Sequence, residues 1–518
     1  MNIRIKKLFI VALFVFCGGI SQAEDLYVCH SSGEYGTEDG SSWANCFDGF
    51  GDISWGAGAG SVSAGDTLYV DGGSSGVTYT ATGNNMLAVG ASGSVGSPIT
   101  IATGAKSPSP SSHSGTVIFD GDSASYHSLI SLDNRTYITI DGESSGSRNW
   151  TLQNTVTSDS EAAAIQAASA DNLILTYVTI SDIGMGLYAT YTDALEVSYC
   201  SITGVTTDAA IRNIVSNAAA SDYGQAKYHH NTIQTNTNES TGAGPDGIQS
   251  GISSDIYNNE FSTAVGTVVG AQHPDMIQSA GWYHRIYNNT FRNMIDSAVD
   301  VDCGTNWDDT FSHLQIYNNV FTVDSDCSDG ATWPSGVRVY NGSYSSVVDI
   351  IIANNSFVDI RGDGVFGGRP LHITPPAGIT IGAGVEIKNN IFYNTGSGSW
   401  ATIEIAASDA SQSDWNVDYN LVNAGEHGDI SVIVDGSAYT QSNPRTSEPV
   451  FTTYTHTSPT NSYNLDSSDT AAKDQGVDLS EYFTTDKDGT TRSGTWDIGA
   501  YEYGEETPAN AIQGVNIN

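Results

Sequence analysis

The residues best placed to do chemistry fall in one row: Arg212, Gln249, Gln278, Asp302, Arg338, His372 and Glu404, with Asp300 beside Asp302. The row follows from aligning "AIRN", "GIQS", "MIQS", "VDVD", "GVRV", "PLHI" and "IEIA" on their aliphatic positions. A slip of two residues at "VDVD" exchanges Asp302 for Asp300. Asp275, Asp300 and Asp302, with the amide carbonyl of Gln278, are hard oxygen donors of the kind calcium takes. Arg212 and Arg338 can neutralise a bound carboxylate. Lys227 and His372 can take up a proton, which a guanidinium does poorly. That set suits removal of a proton beside a carboxylate. The alternative set is Asp275 with Asp300 or Asp302, two crowded acids of which one stays protonated and one ionised, as glycosidic hydrolysis requires. A third reading is a row that binds glycans without reacting with them. Asp246 and Asp275 each follow a proline and lie three residues before a row glutamine, so capping of a turn competes with a role in the groove.

These residues are carried by a repeat. Its marker is an aliphatic, a variable residue, an Asn pair or substitute, one residue, then Phe or Ile. It reads "YHHNTI" (Asn231), "IYNNEF" (Asn259), "IYNNTF" (Asn289), "IYNNVF" (Asn319), "IANNSF" (Asn355), "IKNNIF" (Asn390) and, more weakly, "VDYNLV" (Asn420). Successive asparagines are 28, 30, 30, 36, 35 and 30 residues apart. Cys200 and Val178 hold the same slot upstream, in "VSYCSI" and "LTYVTI". Between markers run short β-branched strands bounded by Gly, Ser and Asp, without the 3.6-residue apolar period of a helix. A turn of about thirty residues with three short strands predicts a parallel β-solenoid. One asparagine per turn is expected to stack on its neighbours by amide hydrogen bonds. Period-2 alternation puts Ile286 and Asn288 inward if the chain bends at Asn289, but which of the pair stacks stays open. Arg285 and the row Tyr257, Tyr287, Tyr317 then face outward on a neighbouring sheet, either as an exposed aromatic ladder or as a platform for sugars. His229 and His230 fall at the ladder slot and read as packing, and Asp308 and Asp309 as a solvated turn.

On these residues the chain resembles the right-handed parallel β-helix proteins of the pectin-lyase-like group. "DLYVCHSSGEYGTEDGSSWANCFDGF", "SAGDTLYVDGG" and "SPITI" are similar to the first coils of secreted members, and "WDIGAYEY" to a last strand. The resemblance implies an all-β, single-stranded right-handed parallel β-helix with an Asn ladder, and a groove on the strand that carries the polar row. It implies a polysaccharide-active protein: foremost a lyase that cleaves a uronic-acid polymer by β-elimination, otherwise a hydrolase with paired Asp, otherwise a glycan-binding or matrix protein. In the lyase reading Lys227, Arg338, His372, Asp300, Asp302 and Asp275 are the catalytic candidates. Arg212, Gln249, Gln278, Arg285, Tyr257, Tyr287, Tyr317 and Glu404 would touch substrate, and Asp275, Asp300 and Asp302 would hold calcium.

Composition agrees with export. Residues 1–23 read as a signal peptide: Arg4, Lys6 and Lys7, then "LFIVALFVF", then "SQA". The formal charge of −40 becomes −43 once those three basic residues are removed. Such an excess repels nucleic acid and anionic membranes as partners. No later run is long and apolar enough to span a bilayer. A secreted or periplasmic monomer is expected. We divide the chain into the signal peptide, an N-terminal cap with first coils (24–120), the regular helix (121–430), closing coils (431–503) and a polar tail (504–518). Cys29–Cys46 and Cys303–Cys327 each close a short loop and are the expected disulfides.

Overall fold

The computed structural model describes residues 23–504 except 31–32, 84, 123–127, 155–162, 215–223, 237–244, 265–273, 280–281, 304–309, 325–333, 343–345, 361–367, 375–379, 382–383, 396–401, 406–414, 426–430, 435–436 and 457. Residues 1–22 of the expected signal peptide, Asp308 and Asp309, Cys327 and the residues from 505 on lie outside the described residues, as do the side chains of Asp302 and Cys303.

The chain winds as a right-handed parallel β-helix. Each coil gives one strand to each of three long sheets, which hold 15, 12 and 13 strands among the described residues. One coil illustrates the order. His284–Tyr287 lies in the sheet that bears the repeat marker, Thr290–Arg292 in a second sheet, and Ser297–Cys303 in the third, which carries the polar row. We call these the marker, phenylalanine and strip sheets. Coils stack in strict register, so that Ile256, Ile286, Ile316 and Ile352 oppose one another. This register is what turns a thirty-residue repeat into rows of like side chains.

The Asn pair divides its labour. The first asparagine of each pair adopts left-handed backbone, with φ of 55, 58, 55, 51 and 56° at Asn258, Asn288, Asn318, Asn354 and Asn389. It makes the corner between marker and phenylalanine sheets, and asparagine tolerates that conformation better than other residues with a Cβ. The second asparagine is buried and stacks. From Asn231 through Asn259, Asn289, Asn319, Asn355, Asn390 and Asn420 to Gln441, each Nδ2 donates to the next side-chain oxygen at 2.9–3.1 Å. The inward position is therefore Asn289, and the bend falls at Asn288, one residue earlier than alternation placed it. Two residues on, Phe261, Phe291, Phe321, Phe357 and Phe392 are fully buried and stack face to face at 4.5–5.0 Å. Each contributes roughly 1.5–3 kcal/mol by burial. Cys200, buried as a free thiol, continues the ladder slot by packing, and its backbone N–H still donates to Asn231.

The N-terminal end is closed by Asp25–Cys29 paired with Thr67–Val70, and the Cys29–Cys46 disulfide ties the loop between them. The other end departs from the expected closing coils. After the strands Trp415–Asp418, Leu421–Asn423 and Val432–Val434, the chain from about residue 450 runs back along the outside of the helix as a strap. Its Phe451, Tyr463, Leu465 and Ile498 cover Val320, Val358 and Ile391 on the outer face of the phenylalanine sheet. Its Leu479, Phe483 and Trp496 cover Tyr317, Ile351 and Ala353 on the marker sheet. The corner asparagines pin it: Asn318, Asn354 and Asn389 donate to the carbonyls of Thr485, Asp497 and Val477 at 2.7–2.8 Å. Among the described residues no helix is long and apolar enough to cross a membrane.

Candidate active site

Strand register fixes the polar row. Tyr188, Arg212, Gln249, Gln278, Asp300, Arg338, His372 and Glu404 oppose one another in sequence across the strip sheet. The row member at "VDVD" is thus Asp300. Val299, not Val301, pairs with Ile277 and Val337, and a register shift follows between Val301 and Cys303. Asp300 and Asp302 have the same parity in the sequence, so only pairing with the flanking coils separates them.

Arg338 is the centre of the row. Its Nε and Nη2 donate to the two oxygens of Asp300 at 3.0 and 2.9 Å, and its Nη1 donates to Asp296 at 2.9 Å. Asp275 lies 3.6 Å from Nη2. Burial works against the charge of Arg338, but hydrogen bonding and attraction from Asp300, then Asp296 and Asp275, hold its pKa well above the ordinary range. Arg338 is therefore a fixed cation and not a base. Asp296 was not singled out in the sequence. Its signal was its place just before the strip strand, the position Asp208 holds three coils upstream.

Asp246 and Asp275 turn out to be caps that also feed the cluster. Asp246 accepts the backbone N–H of Asp275 at 2.9 Å and the Gln249 amide at 2.9 Å. Asp275 accepts the N–H of Ser297 at 3.2 Å. Three residues separate each from the outward glutamine, an odd step that places them on the inward pleat with Ile248 and Ile277. Asp275 is fully buried, so it supports the site from beneath and does not meet a ligand directly. Burial pushes the Asp246 carboxyl up to about 8, with Asp208 and Asp300 adding to it against the Gln249 and Asp275 hydrogen bonds. Burial also raises Asp275 well above the carboxylate range, reinforced by Asp300, Asp296 and Asp246 and opposed by Arg338.

The flanks of the row are cationic. Arg212 pairs with Asp208 and lies over the Tyr188 ring at 5.9 Å. Arg369 meets Nε2 of His372 through Nη1 at 2.8 Å, with Glu404 at 3.7 Å. A guanidinium only donates, so the ring nitrogen it meets is unprotonated. Burial, then the charges of Arg369 and Arg338, lower His372 to about 3 and keep it neutral. The side chains of Arg212, Arg338 and Arg369 are 33, 18 and 12% exposed, and those of Asp275, Asp296 and Asp300 are 0, 9 and 5% exposed. Asp208 and Glu404, at 22 and 23%, share the outer surface with the arginines, so the strip presents both signs of charge.

Other candidates lie elsewhere. Lys227 is on the marker sheet, in register with Glu196 and Asp255, and shares no cleft with Arg338. Arg285, on the same sheet, is held by both oxygens of Asp255 at 2.7 and 2.6 Å. Tyr257, Tyr287 and Tyr317 stack at 5.0 Å, but the row ends under Phe483 of the strap at 4.4 Å, and Tyr317 is buried. It is an aromatic ladder closed at one end and not an open platform. His229 stacks on Tyr257 and His230 on Tyr199, as packing. Of the acids expected to hold calcium, Asp275 and Asp300 face Arg338, and the side chain of Asp302 lies outside the described residues. Among the described residues no three His, Cys, Asp or Glu side chains converge as metal ligands.

No protein-family model and no curated protein matches this sequence significantly. Among solved structures the chain is similar to the pectate lyase Pel9A, at 12% identity over 93% of this chain and 97% of that one, with a TM-score of 0.35. It is similar to the PL6 family alginate lyase AlyGC, at 14% identity and a TM-score of 0.39. There 88% of this chain matches, and it spans only 58% of that chain. A rhamnogalacturonan lyase matches at 13% identity over 77% of this chain and 87% of its own, with a TM-score of 0.36. Identities and scores of this size leave the chemistry to be argued from this chain's own residues.

Proposed function

We propose that this chain is an exported polysaccharide-degrading enzyme, a lyase that cleaves a uronic-acid-containing polymer by β-elimination across the strip sheet. The observation that supports the reading is a guanidinium, Arg338, fixed by Asp300 and Asp296 beside the imidazole of His372, with Arg212 in the same row and Arg369 against His372. A guanidinium fork matches a carboxylate and withdraws charge from it. In β-elimination the carboxylate's neighbouring carbon loses a proton, and neutralising that carboxylate makes the carbanion easier to form. Arg338 has the fixed position and permanent charge for this task, and Arg212 and Arg369 flank it for the adjoining sugar units.

His372 is the base in this scheme. It opposes Arg338 on the neighbouring coil and holds no proton at neutral pH. Its low basicity comes from burial and from Arg369 and Arg338. An arriving carboxylate offsets those two charges, draws Arg369 away from Nε2 and raises the affinity of the imidazole for a proton. The substrate thereby prepares its own base. Lys227 has no part in this scheme, and no step is routed through calcium.

The hydrolase reading has one observation of its own, the raised pKa of the Asp246 and Asp275 carboxyls, which comes first from burial. Asp275 is fully buried, whereas Asp246, at 5%, is about as exposed as His372, at 6%. Incubation with alginate and polygalacturonate decides between the two. Ultraviolet absorbance of unsaturated ends is expected, and it should fall by about 10² or more in His372→Ala. Arg338→Lys keeps the charge that the carboxylates need but loses the fork, and a comparable loss is expected from it. New reducing ends without absorbance would replace this reading with hydrolysis. Full activity in both variants would remove the strip sheet from the chemistry.

A further inference from the structure

A second concavity lies on the marker sheet, away from the strip. It has a volume of about 360 Å³ and runs along the turn edge of five successive strands, Ile99–Thr103, Ile138–Asp141, Leu173–Thr176, Glu196–Ser198 and Ala226–His229. Those strands are consecutive neighbours in the sheet. Four steps of about 4.8 Å make it about 19 Å long, parallel to the helix axis. Its wall is opened by a run of left-handed bends at Tyr137, Asn172 and Ala194, with φ of 57, 60 and 54°. Each turns the chain sharply just before its strand begins.

One outward position of the lining is apolar and, unlike Ile351 under the strap in the same row, is uncovered. Outward positions in this row are Thr100, Thr139, Ile174, Glu196 and Lys227, and a branched aliphatic stands in the middle of four polar residues. Ile174 is 36% exposed, one of five large apolar side chains left exposed among the described residues, and it lines this groove. Around it stand the Tyr137 ring, the amides of Asn172 and Gln225 and the hydroxyl of Thr139. The two charged groups, Glu196 and Lys227, are register partners of opposite sign, so the groove carries no net charge of its own.

We infer that this groove binds an uncharged stretch of polysaccharide, several sugar units long, as a holding site separate from the strip. A pyranose offers an apolar C–H face and an edge of hydroxyls, which matches an aliphatic centre rimmed by amides and hydroxyls. The length and the direction across strands suit an extended chain rather than a compact ligand. Cancelling charges favour a neutral sugar over the acidic units that the outward guanidiniums of the strip would take. The inference stands on the marker sheet alone and does not depend on the strip's chemistry.

The test is affinity electrophoresis and calorimetry of the full chain with soluble neutral polymers (a mixed-linkage β-glucan, xyloglucan and galactomannan) beside polygalacturonate. Retardation by at least one neutral polymer is expected. It should weaken about tenfold or more in Ile174→Glu and in Gln225→Ala, while Arg338→Lys retains it. Gln225 is exposed, so its replacement leaves the fold in place and loss in that variant reports on the surface itself. No binding to any neutral polymer overturns the inference, as does binding that survives both variants. Binding lost only in Arg338→Lys would assign it to the strip instead.

Discussion

The two members of one Asn pair are expected to fail in different ways, and the coil at Asn288 and Asn289 makes the difference measurable. Asn289 accepts the backbone N–H of Asn259 at 3.0 Å and its Nδ2 at 3.0 Å. It donates its own Nδ2 to the carbonyl of Ile256 at 2.8 Å and to Asn319 at 3.1 Å. In Asn289→Ala the buried N–H of Asn259 loses the acceptor it has in the ladder, a cost of about 1–3 kcal/mol. Asn259 Nδ2, the Ile256 carbonyl and Asn319 Oδ1 each lose a contact. Asn259 Nδ2 keeps the carbonyl of Tyr228, and Asn319 Oδ1 keeps the N–H of Asn289. Those losses add about 1–2 kcal/mol together, given the net worth of a hydrogen bond, for a total of about 2–5 kcal/mol. Asn288→Ala removes no ladder bond but puts alanine in left-handed backbone, at about 1 kcal/mol, and Asn288→Gly should cost nearly nothing. Guanidinium unfolding followed by far-ultraviolet circular dichroism ranks the three, with Asn289→Ala well below the others. Equal losses in Asn288→Ala and Asn289→Ala would refute the assignment of ladder and corner.

Two further outcomes follow from the buried acids and the strap. Asp246 has a folded pKa near 8, far above that of an unfolded carboxyl, so the folded chain binds the extra proton between those values. Stability from this group falls as pH rises from about 4 to 8, and Asp246→Asn should flatten that part of a melting-temperature profile and raise the melting temperature at pH 9; an unchanged slope would show that the carboxyl titrates normally. Phe483 packs on Tyr317 and against Trp496, so Phe483→Ala should cost about 3 kcal/mol locally. Limited proteolysis would then release a C-terminal fragment from an intact helix, and cleavage no faster than in the parent would mean that the strap is held elsewhere.

The repeat was legible because it is architecture. A residue that must stack on its own copy every thirty positions leaves a periodic trace, and the coil, the ladder and the inward aliphatics could be read from it. The choice between the two asparagines could not, because a corner in left-handed backbone and a buried amide stack both select asparagine. The strap was illegible for the opposite reason. "TTRSGTWDIGAYEY" is apolar enough to be a coil, and only the partners of its side chains, above all Asn318 with Arg492 and Asn354 with Asp497, show that it lies outside. Lys227 was readable and misassigned: it stands four residues before Asn231, as Asp255 and Arg285 stand before Asn259 and Asn289, and that spacing already put it on the marker sheet.

The strip shows why chemistry is harder to read than fold. Its informative residues are those that differ between coils, so no copy in the sequence calibrates their register, and a two-residue slip at "VDVD" changes the partner of Arg338 from one Asp to another. The structure resolves the slip and adds what sequence lacks, which is depth. Asp275, Asp296, Asp300 and Arg338 would each read alone as a surface charge. Stacked, three of them lie beneath the fourth, and the carboxylates fix both the charge and the orientation of the guanidinium. A net negative chain can in this way hold a cation in a fixed orientation, because Asp296 and Asp300 orient Arg338 while the low exposure of their own oxygens limits what they show to a ligand. On that argument the specificity of the strip resides in which side chain of each coil is outermost. Replacing an outer arginine should change what binds, whereas replacing an inner aspartate should first change how the arginine is held.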